Sequence, residues 1–215
     1  ATNGFVQIDL TTASQMTVAD LKQISDLSKV EFYVSTYFSD SNGQIKAKYA
    51  QDRYRRRHTY NGYELLSINA RLEQLQAKID MNQPISIRAR QIYELLKSEI
   101  PIMYDYTRSQ AHIDVSQSLR GITSNNMVGK EGLICAGFAS VFKEMCIRCG
   151  VPCEYVRGQA ILDPLTGSGG RHAWNVVIAE NGKIIPKYSV LKELCEEKNI
   201  DTTGMKKADL VAALN

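Results

Sequence analysis

The chain has 215 residues, 44% hydrophobic and 23% charged, with 26 lysines and arginines against 23 aspartates and glutamates. At roughly 150 residues per domain this is one large domain, or one domain with a small appendage, and the composition excludes collagen, coiled coil and bulk disorder. A net charge of +3 is too small to imply a polyanionic partner by itself. No run nears the roughly 18 consecutive apolar residues that span a bilayer, so no membrane span is expected. Ala1-Thr2-Asn3-Gly4 is not a basic-then-apolar leader, and the expectation is a secreted or bacterial cell-surface protein whose signal peptide lies outside the given chain.

Residues 1–60 read as an N-terminal extension of mixed character. Val30, Phe32, Val34 and Tyr37 alternate with polar residues and predict a strand over Val30–Phe38, closed by the turn Ser41-Asn42-Gly43. The basic run Arg53, Arg55, Arg56, Arg57 and His58, between Tyr54 and Tyr60, reads as a solvated face or loop with arginine stems lying on tyrosine rings. From there a core over 61–186 begins. Leu65, Ile68, Leu72, Leu75 and Ile79 recur at spacings of three and four, which predicts a helix with one buried face. Pro84 interrupts the chain. Ile87, Ile92, Tyr93, Leu95 and Leu96 then predict a second amphipathic helix ending near Pro101, followed by an extended Tyr104-Asp105-Tyr106.

Five cysteines, Cys135, Cys146, Cys149, Cys153 and Cys195, are an odd number, so at least one thiol is free. Positions 138, 141, 142, 145, 146 and 149 form a helical stripe ended by Gly150, which places Cys135 in or just before the first turn. Unpaired N–H groups at a helix start carry partial positive charge and stabilise a thiolate. Cys146 and Cys149 lie on the apolar stripe, where a structural thiol is the simpler reading than a zinc site with Cys153, and no metal is expected. Cys153–Ala160 reads as a strand, 163–170 as a glycine-rich loop, and Arg171–Ala179 as a second strand turned at Asn181-Gly182. His172, Trp174, Val176 and Ile178 project to one face of it, Ala173, Asn175, Val177 and Ala179 to the other. A helix-start cysteine packed on a sheet that offers a histidine suits a thiolate–imidazolium pair. His58 and His112 lack partnered spacing and read as surface residues.

The string Gly132-Leu-Ile-Cys135-Ala-Gly-Phe138 through Cys149-Gly-Val-Pro152, then Val156-Arg-Gly158, then Arg171-His-Ala-Trp-Asn175, resembles the transglutaminase-like cysteine superfamily over roughly residues 85–185. The resemblance implies an α+β fold: a papain-like, transglutaminase-like core in which the cysteine-bearing helix packs on an antiparallel sheet carrying the histidine. It implies Cys135 as nucleophile and His172 as general base and acid, acting on peptide or glutamine amides through a thioester. It also implies oxyanion or orienting help from the Cys135 N–H and from Tyr104, Tyr106 or Asn175, with no cofactor. Transfer to an amine gives cross-linking; transfer to water gives deamidation or proteolysis. The aspartate that such a family carries after the hairpin is missing from Gly182–Tyr188. A dyad, a different orienting group, absent residues near Pro186-Lys187, and an inactive module that docks through its cleft all remain open.

Residues 187–215 form a C-terminal appendage. Leu191–Leu214 resembles the helix-extended-helix motif related to SAP modules, which would add two short helices. Five lysines balance five carboxylates there, so nucleic acid is disfavoured and protein docking is the expectation, beside a protein or peptide substrate.

Overall fold

The structure is a computed structural model and describes residues 4, 6–34, 59–100, 115–123, 132–163 and 168–178. Strand β1 (Val6–Leu10) pairs in parallel with β2 (Val30–Val34), and β3 (Thr59–Asn61) pairs antiparallel with β2. A parallel pair needs a crossover, which is supplied by residues 11–29 with the short helix α1 (Val18–Lys22). Strand β2 begins at the predicted Val30 and buries Val30, Phe32 and Val34 on one face, the period of two that the sequence displays. Phe32 opposes Tyr60 in register, and both are fully buried.

Helix α2 (Gly62–Gln76) starts at a capping box, in which Asn61 Oδ1 accepts from the Glu64 N–H at 2.9 Å and the Glu64 carboxylate accepts from the Asn61 N–H at 3.0 Å. Its stripe Leu65, Ile68, Leu72 and Leu75 is wholly buried, as the spacing requires. Helix α3 (Ile85–Glu99) follows Pro84 and buries Ala89, Ile92 and Leu96, whereas Tyr93 faces out. Helix α4 (Cys135–Arg148) begins on the cysteine itself. Its last carbonyls are closed from two neighbours, since Gln76 Nε2 donates to Arg148 O at 3.0 Å and Arg88 donates to Cys149 O. Gly150 takes a φ of 61°, the left-handed turn predicted for the end of this helix.

One large apolar cluster joins β1–β3, α2, α3 and the buried side of α4. Burying each of Phe32, Leu72 and Met145 contributes roughly 1.5–3 kcal/mol, which ties residues 6–34 to the same core as the helices. The second sheet is the antiparallel pair β4 (Cys153–Asp163) and β5 (Ser168–Val177), with a bulge between Ile161 and Asp163. The expected glycine-rich loop over 163–170 is corrected: both strands run further, and Gly169 and Gly170 belong to β5, paired with Ile161 and Ala160. Glycine content marks a loop only where no partner strand satisfies the backbone, and here one does. The architecture is α+β, with the cysteine helix on an antiparallel strand pair. Among the described residues no helix is long and apolar enough to cross a membrane.

Candidate active site

Cys135 is the first residue of α4, with Ile134 in the extended cap position. Among the described residues no side chain caps this end and no carboxylate lies in its first turn, so nothing described opposes its partial positive charge. The segment before it is clamped: Ile134 N–H donates to Ser116 O at 3.1 Å, and a Cβ on Gly137 would lie 2.2 Å from Ser116 O and 2.8 Å from Leu133 Cδ2. Only glycine lets the 115–118 turn cross this close to the first turn of α4.

The thiol is partly exposed and packs against a small cluster of Ala136, Ala139, Tyr155 and Ala173. Asn175 Nδ2 donates to Ala139 O at 2.9 Å and straps β5 onto α4 one turn beyond the cysteine. Tyr155 is 1% exposed. Burial first, and then the nearby Cys135 sulfur, push its hydroxyl well up, so it stays an O–H at neutral pH. Arg157 Nε donates to Tyr155 Oη at 3.4 Å.

His172 directly precedes Ala173, so its backbone is one residue from the cysteine cluster. Its ring stacks on Trp174 at 6.1 Å between centroids, and Trp174 fills the space where a Cβ on Gly158 would meet its ring at 2.7 Å. Ala173, Asn175, Tyr155 and Arg157 share the α4 face of the sheet, and the pleat assigns His172 and Trp174 to the opposite face, the alternation read from the sequence. The strand pair thus brings Cys135 beside the His172 backbone, with the imidazole seated on Trp174.

The other cysteines are core residues. Cys146, Cys149 and Cys153 are buried, and a hydrogen bond with Cys153, then burial, drives the Cys146 thiol far above the ordinary cysteine range. Burial likewise raises Cys149. Among the described residues no group of three or more His, Cys, Asp or Glu side chains is placed to hold a metal ion. Tyr104, Tyr106, the Arg53–His58 run, His112, Cys195, the stretch Gly182–Tyr188 and the appendage 187–215 lie outside the described residues.

Tyr155 and Arg157 escaped the sequence reading. Their alternation on β4 was visible, but that their face meets the cysteine depends on strand register. Glu144, 5% exposed on α4, was also missed: it accepts from the Ala13 N–H at 3.0 Å and from Ser14 Oγ at 2.7 Å, and burial raises its carboxyl above the usual range.

The model of the transglutaminase-like superfamily matches residues 73–186, more than half of the 215 residues and a span that holds both Cys135 and His172. No curated protein matches the chain.

Proposed function

Because the chain belongs to the transglutaminase-like superfamily, we propose that Cys135 is the nucleophile of an acyl transfer from peptide-type amides, with His172 as its base and acid. The observation that carries this reading is the thiol at the first residue of α4, packed on Ala173 next to His172. The Cys135 proton passes to the imidazole, and the thiolate sulfur forms a bond to the amide carbon while the carbonyl electrons move to oxygen. N–H groups at the helix start stabilise that oxyanion. On collapse the C–N bond breaks, the nitrogen takes the imidazolium proton, and an amine or ammonia leaves a thioester on Cys135. An incoming amine or water, deprotonated by the imidazole, then releases the acyl group and restores the thiol. For this the imidazole must leave Trp174 and reach the other face of the strand pair, at the start of α4 where Cys135 sits.

A second reading has one observation in its favour: the pleat sets His172 on the face opposite Tyr155 and Ala173, as suits a non-catalytic module that retains the fold for docking. Incubation with a glutamine-bearing peptide and a primary amine, quenched in acid, separates the two. Acyl transfer predicts a Cys135 adduct with the mass of the peptide less ammonia, absent in Cys135→Ala, and the released products tell cross-linking from hydrolysis. Wild-type chain with no adduct and no product contradicts the enzymatic reading.

A further inference from the structure

The sheet does not end where α4 ends. Asn175 lies at Ala139 and Ala173 at the Cys135 cluster, so two strand residues, about 6.6 Å, match one turn of helix, about 5.4 Å. On that face Arg157 pairs with Ala173, level with the helix start, and Arg171 lies two residues further back on β5, just beyond it, so both stand on the cysteine's side of the sheet. Arg157 is half-buried, its guanidinium carbon 5.9 Å from the centre of the Tyr155 ring and its Nε donating to Tyr155 Oη. Arg171 is exposed. Burial, and then the charge of Arg171, lower Arg157 to about 10, which leaves Arg157 a cation at neutral pH with the Arg171 guanidinium close enough to repel it.

We propose that Arg157 and Arg171 form an anion-binding subsite beside Cys135 that selects acyl donors bearing a carboxylate next to the reacting amide, as in acidic peptides. The subsite rests on Cys135 being the reacting thiol. A carboxylate between two guanidinium forks relieves their repulsion and takes paired, charge-assisted hydrogen bonds. It also adds its charge on the side of the helix end that carries partial positive charge.

The test uses the full chain and two reagents that differ in charge. Second-order rates of Cys135 alkylation by iodoacetate and by iodoacetamide are measured at pH 7 by peptide-resolved mass spectrometry. The ratio of anionic to neutral reagent is expected to fall about threefold in Arg171→Gln, an exposed position that leaves packing intact, and at least tenfold with Arg157→Gln added. Arg157→Lys should keep most of the ratio, and Lys97→Gln on α3 should leave it unchanged. A ratio that stays within twofold of wild type in Arg171→Gln and in the double variant overturns the subsite, as does a native Cys135 that neither reagent labels. The iodoacetamide rate in His172→Ala separately reads the thiol–imidazole pair. A ratio that falls while that rate is slow and unaffected by His172 keeps the subsite and removes the catalytic reading; the converse removes the subsite alone.

Discussion

A single thiol among the described cysteines combines exposure with a helix start. Cys135 is partly exposed and packs against the cluster that holds Tyr155, whereas Cys146, Cys149 and Cys153 are buried; the hydrogen bond with Cys153 and burial raise the Cys146 thiol, and burial raises Cys149. At neutral pH iodoacetamide should therefore modify Cys135 at least a hundredfold faster than these three, which become reactive only on unfolding; peptide mapping before and after denaturant reads this. Cys135 and His172 were legible in the sequence because each sits at a punctuated position, one at the head of an apolar helical stripe and one at the mouth of a strand. Tyr155, Arg157 and Glu144 were not, since a tyrosine on a strand or a glutamate on a helix is ordinarily solvent-facing. What buries Glu144 is a backbone turn at Ala13 and Ser14, some 130 residues away in the chain.

Helix α2 falls where spacing puts it, and α3 and α4 where spacing and punctuation do, because their stripes are longer than a turn and Pro84 and Gly150 mark the boundaries. The strand pair is longer than its sequence pattern shows, because the bulge between Ile161 and Asp163 and the two glycines hide the alternation. Gly137→Ala should cost about 3 kcal/mol in a denaturant titration, because Ser116 O and Leu133 must move from the new methyl, and it should slow labelling of Cys135 by displacing the helix start. Arg120 joins β3 to α2 by donating from Nε to Glu64 at 2.7 Å and from Nη2 to Thr59 O. Burial pulls the Glu64 carboxyl upward, but Arg120 and the Asn61 N–H outweigh it and hold it below 4.5. A lowered carboxyl stabilises the fold above its ordinary value and stops doing so as pH falls through the lowered one. Glu64→Gln should thus lose about 1 kcal/mol at pH 7, and the difference from wild type should vanish as the pH drops well below 4; urea titrations across that range check it.

Among the described residues, two buried polar groups tie the β1–β2 crossover to the cysteine helix. Glu144 on α4 accepts from Ala13 and Ser14, and Asn69 on α2 donates to Met16 O at 2.6 Å while accepting from Arg148 of α4. Such contacts carry no periodic signal, which is why residues 1–60 read as an extension while residues 6–34 share the core of α2 and α4. Replacing Glu144 by Leu leaves two N–H groups without their acceptor and should cost about 3 kcal/mol. Far-UV and near-UV signals should still melt in one transition; separate loss of the N-terminal segment would contradict the shared core. Catalysis on this fold requires Cys135 and His172 to act together. The most direct measurement is the rate of Cys135 alkylation by iodoacetamide from pH 5 to 9, in the wild type and in His172→Ala. Fast labelling below pH 7 that collapses in the variant is the predicted result. A slow rate that rises only in alkaline solution, identical in both proteins, would contradict the pair and leave a transglutaminase-like fold used for binding alone.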